Sequence, residues 1–304
     1  MKGVKDICKG VNVWNGVRWE SIPQRKNLSH YDPLTGILTD HEGNSYSTAV
    51  FGRAGRWMTV NLRTKTSPGS CENIYYPGEL TSDDFSNRMD IRVAHYPNGS
   101  ITNVAAVQPT TWAEEQGLLY SWALATNGKG GSDGQGNVDN IEGDGVNVDE
   151  YYEQKIQRQG ICPDGWHLPS LAEWQELFAV LKEDAESNSD NFANYSSRPY
   201  TVGARGGATT AKSNIPLRAA QIPNGASNSA KEGGFDVLMT GAKTGNSMIY
   251  GNEASFWTAS ASLGVGTLTN KAAYATTFRP ANTTDMVIGS AMRTFLYSVR
   301  CKQN

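Results

Sequence analysis

The chain has 304 residues, of which 38% are hydrophobic and 19% are charged, and its formal net charge is -3. This length is enough for one large domain or two smaller ones with a sizeable core. The near-neutral charge argues against the basic surface typical of nucleic-acid-binding proteins, and no apolar run approaches the roughly 20 residues that span a bilayer. We therefore expect no nucleic-acid partner and no membrane span in this chain.

The composition favours loop-rich β structure, because 32 residues are glycine and 10% are aromatic. The four cysteines are widely spaced and form no Cys-x-x-Cys pair: Cys8, Cys71, Cys162 and Cys301. This pattern disfavours zinc and favours two disulfides in an exported protein. Residues 1–6 are not followed by the apolar segment of a signal peptide, so we expect the export signal to be missing from this chain.

The N-terminal residues 1–26 contain two short strand-like pieces on either side of Asn15-Gly16. Asn-Gly between alternating apolar residues predicts a β-hairpin. A lone hairpin buries too little surface to fold by itself. We therefore expect residues 1–26 to form an N-terminal hairpin or a junction to a missing upstream module, followed by one main domain over 27–304.

The first half of the main domain reads as short strands interrupted by two long loops. Residues 36–62 predict short strands with glycine turns between them, and residues 117–125 predict a strand that runs into a short helix. The loops lie at about 63–116, which is irregular and polar, and at about 126–150, which is rich in Gly, Asp and Asn. Such sequences cannot bury a core, so the second loop is predicted to lie at the surface.

Residues 160–174 combine a cysteine, a Pro-Asp-Gly turn and a helix start. Ser170 and Glu173 have the spacing of a capping box, and the apolar residues after them recur at helical intervals. We predict a helix that begins here and ends near Lys182. The tail returns to strand-like segments, so the sequence predicts an α+β domain with two short helices, antiparallel strands and long loops.

Seven short motifs occur in order from about residue 36 to 302: Thr39-Asp40 with Gly43-Asn44 and Tyr46, Arg56-Trp57-Met58 with Asn61-Leu62, Leu119-Tyr120-Ser121-Trp122, residues 160–174, Gly234-Phe235 with Gly241, Phe256-Trp257-Thr258-Ala259-Ser260, and Ser298-Val299-Arg300-Cys301. In this order they resemble the Fibrobacter succinogenes major paralogous domain family. The family looks like a branch of the group of C-type-lectin-like and sulfatase-modifying-factor folds. Its members are typically exported or surface-anchored proteins of gut-type bacteria, some at pilus tips.

The resemblance implies a C-type-lectin-like fold in which the last strand returns beside the helix start. Cys162 and Cys301 would then form a disulfide, leaving Cys8 and Cys71 as the second pairing. The alternative is a reactive cysteine pair, as in the formylglycine-generating enzymes of the same fold group. Both cysteines belong to structural motifs, so we expect the disulfide.

Catalytic and metal-binding signals are weak. His167 could act as a base because histidine titrates near neutrality, but no obvious partner lies near it in the sequence, so we expect a buried structural histidine. The acidic loop contains Asp133, Asp139 and Asp144, which could supply oxygen ligands to calcium, but their spacing is not that of an EF-hand. We therefore expect no cofactor, with calcium at this loop as the alternative, and no enzymatic activity.

A possible ligand-facing surface lies between positions 250 and 279, where small polar residues alternate with aromatic ones. In lectin-like folds this region supplies the ligand-facing loops, and Tyr, Ser and Asn suit a recognition surface. The residues predicted to contact a ligand are Asn252, Glu253, Ser255, Ser260, Ser262, Thr267, Asn270 and Tyr274.

Together these features predict an exported, non-enzymatic binding module at the cell surface, acting as an adhesin or receptor-like head. Its partners would be a glycan or protein on another surface and an upstream stalk or pilus domain. Two alternatives stay open: an oxidising enzyme similar to the formylglycine generators, and a structural pilus subunit.

Overall fold

The computed structural model describes residues 29–66, 68, 89–99, 108–131, 157–188, 235–245, 247–262, 271–278 and 286–304, together with three further strands. Within these residues the strands are β1 (Asn12–Trp14), β2 (Trp19–Ser21), β3 (His30–Asp32), β4 (Ile37–Thr39), β5 (Ser45–Val50), β6 (Arg56–Met58), β7 (Ala94–His95), β8 (Leu119–Tyr120), β9 (Trp166–His167), β10 (Thr209–Ala211), β11 (Ala242–Thr244), β12 (Ser247–Ile249), β13 (Ala254–Ser262), β14 (Ala272–Phe278), β15 (Met286–Met292), β16 (Tyr297–Ser298) and β17 (Lys302–Gln303). The helices are α1 (Trp122–Ala125) and α2 (Leu171–Asn188), with 3-10 turns at Gly52–Ala54 and Glu114–Gln116.

Two large sheets form the body. One has six strands in the order β3-β4-β5-β6-β17-β9, and the other has seven in the order β10-β15-β14-β13-β16-β8-β7. Neighbouring strands are antiparallel except for β13 and β16, which pair in parallel. Two further strand pairs complete the described strands: β11 pairs with β12, and β1 pairs with β2.

The expected α+β class is wrong, because the described part of the chain is predominantly β. Helix α1 has only four residues, a single turn that cannot form a layer of its own. Most of the described elements are strands, and they pair in two large sheets. The C-type-lectin-like fold with two short helices is therefore not retained.

Helix α2 is the main helical element among the described residues, and it begins where the capping box predicts. The backbone N–H of Glu173 donates to Ser170 Oγ at 3.3 Å, and the Glu173 carboxylate accepts the N–H of Ser170 at 2.9 Å. The helix continues to Asn188, six residues beyond its predicted end near Lys182. Glu183, Ala185 and Glu186 in this last part have the propensity to prolong a helix.

Strand β13 separates two hydrophobic cores, which is why all nine of its residues are buried. Successive side chains on a strand point to opposite faces, so Phe256 and Trp257 enter different cores. The core on the α2 side, here called the aromatic cluster, is built mainly of rings: Phe51, Trp57, Trp174, Phe178, Phe235, Phe256, Tyr274 and Phe278. The other core, the disulfide cluster, includes Met58, Leu62, Tyr120, Trp166, Trp257, Val299 and both bonded cysteines.

Cys162 and Cys301 form the disulfide that the resemblance implies. Both are fully buried, their Cα atoms lie 5.8 Å apart, and 139 positions separate them in the sequence. The bond joins the turn before β9 to the residue before β17. It therefore fastens the C-terminal end of the described chain to the segment that begins α2.

Removal of this bond is expected to destabilise the protein strongly. In the chain-entropy model, a closed loop of this length contributes about 4–5 kcal/mol, so the Cys162→Ala, Cys301→Ala double variant should lose stability of that order. Either single variant should lose nearly as much as the double, because each abolishes the same bond. Urea denaturation at pH 7 measures the three values. A loss below about 1 kcal/mol in the double variant would contradict a stabilising role.

Candidate functional site

His167 lies in a closed polar network with Glu173. Its Nε2 donates to the two Glu173 carboxylate oxygens at 3.0 and 3.1 Å, and its Nδ1 lies 2.7 Å from Asn304 Oδ1. Lys302 Nζ also donates to Glu173, at 3.0 Å. His167 and Glu173 are both only 2% exposed. Because both ring nitrogens are engaged and the ring is covered, this histidine is positioned to hold β9, β17 and α2 together rather than to accept a proton from a substrate.

The same contacts determine the charge state of Glu173. Burial opposes the charged carboxylate, but the hydrogen bond and charge of His167, the N–H of Ser170 and the charge of Lys302 outweigh it. Together they lower the pKa of Glu173 to about 2. The carboxylate therefore stays ionised across the ordinary pH range and links three elements.

Arg300 is a second buried charge, which the sequence analysis did not single out. Its guanidinium donates to Asn61 Oδ1 at 2.9 Å, to the carbonyl of Asp236 at 2.7 Å and to the carbonyl of Phe235. It also lies over the rings of Phe235 and Phe256, at 4.5 and 5.4 Å from their centroids. Burial lowers its pKa to about 9, partly opposed by the charge of Asp236. The residue is completely buried, so these contacts serve the fold.

The predicted ligand-facing residues do not form one surface. Asn252 is exposed and Glu253 is half-buried, both just before β13. Four others are buried in the interior: Ser255, Ser260, Ser262 and Tyr274. Thr267 and Asn270 lie outside the described residues.

The four buried residues of this set hydrogen-bond to, or pack against, other residues of the protein. Ser260 Oγ accepts the N–H of Leu171 at the start of α2, at 3.0 Å. Ser255 Oγ pairs with the hydroxyl of Thr277 on β14 at 2.9 Å, and Ser262 Oγ pairs with the hydroxyl of Ser290 on β15 at 2.6 Å. Tyr274 belongs to the aromatic cluster. The sequence pattern of small polar and aromatic residues here reflects a central strand with hydroxyl pairing across its neighbours.

The other predicted positions cannot be placed. Asp133, Asp139 and Asp144 of the acidic loop lie outside the described residues, as do Cys8 and Cys71. Most of the predicted loops at 63–116 and 126–150 falls outside them as well. Among the described residues, no group of three or more His, Cys, Asp or Glu side chains could hold a metal ion. No helix in the described part of the chain is both long and apolar enough to cross a membrane.

An open cavity of about 320 Å³ lies between the segment before β7 and helix α1. One wall is formed by Met89, Asp90 and Arg92, and the other by Trp122, Ala123, Thr126 and Gly128. Its volume is at the lower end of the range for small-molecule pockets, about 300–1,000 Å³. A cavity of this size can admit a small polar group or one unit of a larger ligand.

The two walls are held together by direct hydrogen bonds around Ser121. Its Oγ donates to the carbonyl of Ile91 at 2.5 Å and accepts the N–H of Val93 at 3.1 Å. Its own N–H donates to the carbonyl of Val93 at 2.9 Å. The indole N–H of Trp122 donates to Thr258 O at 2.9 Å, which fixes α1 on β13. The cavity is therefore preformed by the fold.

These cavity residues were not predicted from the sequence, although a local signal was present. Residues 90–93 alternate between charged and apolar side chains, and Ile91 and Val93 are buried whereas Asp90 and Arg92 are exposed. Alternation over four residues indicates an extended segment with one covered face. This short signal lies within a stretch that otherwise lacks periodicity.

The comparisons with known proteins identify one family. The model of the Fibrobacter succinogenes major domain matches residues 54–302, which contain most of both cores, the disulfide and the cavity. Strands β3, β4 and β5 precede the matched residues but continue the six-stranded sheet through β6. No curated protein and no solved structure gives a match.

The low pKa of Glu173 predicts a specific dependence of stability on pH. A carboxyl group whose pKa falls from 4.5 to about 2 on folding stabilises the protein above pH 4.5 and loses that contribution as the pH falls to 2. The wild type should exceed Glu173→Gln in free energy of unfolding by about 3 kcal/mol at pH 6, and the difference should nearly vanish at pH 2.

Urea denaturation of both proteins at several pH values measures this difference. Glu115→Gln is the matched control, because Glu115 is exposed and lies far along the chain from the network. The control should follow the wild type at every pH. A difference between wild type and Glu173→Gln that does not change with pH would contradict the role given to the carboxylate charge.

Proposed function

We propose that this chain, which belongs to the Fibrobacter succinogenes major domain family, is a non-enzymatic binding module displayed outside the cell. It would act as an adhesin or receptor-like head that recognises a glycan or a protein. The observation that carries the proposal is the preformed, open cavity between the segment of residues 89–92 and α1. A site whose walls are already fixed loses little conformational entropy when a ligand binds.

The disulfide supports the extracellular part of the proposal. Structural disulfides persist in oxidising compartments and are rare in the cytosol. The bond between Cys162 and Cys301 closes a long loop in the middle of a core, where it contributes to folding. We therefore propose export to the cell surface, with a stalk or pilus domain upstream of this module.

The same bond argues against the oxidising-enzyme alternative. Enzymes of that type need a reactive cysteine pair that a substrate can reach. Here the two sulfur atoms are bonded to each other and both cysteines are completely buried. His167, the other candidate for chemistry, has both ring nitrogens occupied by interior partners. These contacts favour binding over catalysis.

The proposal predicts saturable ligand binding without turnover. The purified chain should bind at least one class of ligand when it is presented to arrays of oligosaccharides and of extracellular-matrix proteins. Surface plasmon resonance on each hit, with the ligand recovered and analysed by mass spectrometry, measures saturation and tests for chemical change.

Thiol mapping provides the second arm of this test. Alkylation of the unreduced, denatured protein followed by peptide mass spectrometry should find Cys162 and Cys301 unmodified. Alkylation of both residues, together with oxidation of an added thiol-containing peptide, would support the enzyme instead. Self-assembly into fibres without ligand binding would support the structural pilus subunit.

A further inference from the structure

Asp90 and Arg92 place two opposite charges in the lining of the same cavity. They are two positions apart in the segment before β7, and the residues that alternate with them, Ile91 and Val93, are only 1% exposed. The apolar side chains thus face the interior, whereas the carboxylate and the guanidinium face solvent. Both residues are exposed and both line the cavity.

The cavity wall that follows α1 explains how the Arg92 guanidinium is held beside the cavity. Gly128 has a φ of 70°, and a Cβ built on it would lie 2.0 Å from Arg92 Nη2. The Arg92 side chain thus lies against the Gly128 backbone, in space that any other residue would occupy. Arg92 Nη1 also lies 3.5 Å from Asn127 Oδ1, at the edge of hydrogen-bonding distance. The turn after α1 therefore positions this guanidinium beside the cavity.

The charge pattern limits the class of ligand. An anion is attracted by Arg92 but repelled by Asp90, and a cation meets the reverse, so neither gains from both side chains. A neutral group with adjacent hydroxyls uses both: a carboxylate accepts hydroxyl hydrogens, and a guanidinium donates to hydroxyl oxygens. The polar character of the two exposed side chains likewise disfavours an apolar ligand.

We propose that this cavity is a subsite for a neutral sugar unit of a glycan, with Asp90 accepting and Arg92 donating hydrogen bonds to vicinal hydroxyls. This inference rests on the proposed binding function and names its ligand class. The volume of about 320 Å³ suits one sugar unit rather than a folded protein loop. A protein ligand would need a surface several times larger than this cavity.

The burial of Trp122 limits the affinity that this subsite can have for a sugar. Its side chain is only 2% exposed, so the ring does not offer its face to a sugar. Recognition then depends on a small number of hydrogen bonds to charged side chains, so the loss of one has a large effect although the total affinity is low. A single module should bind weakly, and display of many copies would raise the overall affinity.

The test uses the full chain and a panel of neutral and sialylated oligosaccharides. The chain is first presented in multivalent form on an array, and the strongest neutral hit is then titrated by isothermal calorimetry. Asp90→Asn and Arg92→Gln should each weaken binding of that hit at least tenfold. Gly128→Ala should have a similar effect by displacing the guanidinium.

Matched controls change the same charges elsewhere on the surface. Glu115→Gln and Arg53→Gln alter exposed residues outside the cavity lining and should leave binding within twofold of the wild type. Thermal unfolding of every variant checks that the fold is retained. If Gly128→Ala does not fold, Asp90→Asn and Arg92→Gln decide the result.

The failures of the two proposals can be told apart. A wild type that binds neither a glycan nor a protein would overturn the binding function and the sugar subsite together. Three results would overturn the subsite alone: binding only to a protein, glycan binding that survives both Asp90→Asn and Arg92→Gln, or preference for sialylated over neutral oligosaccharides. Tenfold losses confined to the cavity variants on a neutral glycan would support the assignment.

Discussion

The return of β17 between β6 and β9 is the constraint on which the six-stranded sheet depends. Lys302 pairs with Trp57 on one side and His167 on the other, although these residues are far apart in the sequence. Two further contacts fix this position: the disulfide one residue earlier, and the ion pair between Lys302 and Glu173. Backbone, covalent and electrostatic links thus converge on the same short segment. Weakening one of them leaves the strand held by the others, whereas removing Glu173 leaves Lys302 without its buried counter-charge.

Arg300 extends this constraint into the aromatic cluster. A buried cation is costly unless its donors are satisfied, and here carbonyl oxygens and the Asn61 side chain satisfy them while the rings of Phe235 and Phe256 contact its faces. The arrangement specifies one position for the final strand, because any shift would leave donors without acceptors. Lysine could not replace it, since an ammonium group lacks the planar fork that reaches three acceptors at once.

The parts of the fold that could be predicted from the sequence are those determined by interactions between residues close together in the chain. The capping box of Ser170 and Glu173 needs only a spacing of three, and the start of α2 followed from it. The pairing of Cys162 with Cys301 came from the resemblance, not from the spacing. The predominance of β structure was missed because several strands have only two or three residues, too few to show alternation.

The site was harder to predict because its members are brought together by tertiary contacts. Ser255, Ser260, Ser262 and Tyr274 have surface-like chemistry, but β13 and β14 lie at the centre of a sheet and their hydroxyls pair with interior partners. Asp90 and Arg92 acquire a cavity only because Ser121, about 30 positions away, bonds the backbone beside them. A pattern in sequence gives the chemistry of a side chain, whereas its accessibility depends on what packs over it.

The cavity and the disulfide are connected through contacts between the end of α1 and residues 160–162. Gly160, at a φ of 60°, comes so close to α1 that a Cβ there would lie 2.1 Å from the Ala125 carbonyl. The next residue, Ile161, donates its N–H to the same carbonyl at 3.0 Å, and Cys162 follows directly. The helix that forms one cavity wall is therefore fastened to the segment that the disulfide holds. A preformed site gains affinity by avoiding reorganisation, so the stability of this core and the readiness of the cavity to bind are set by the same contacts.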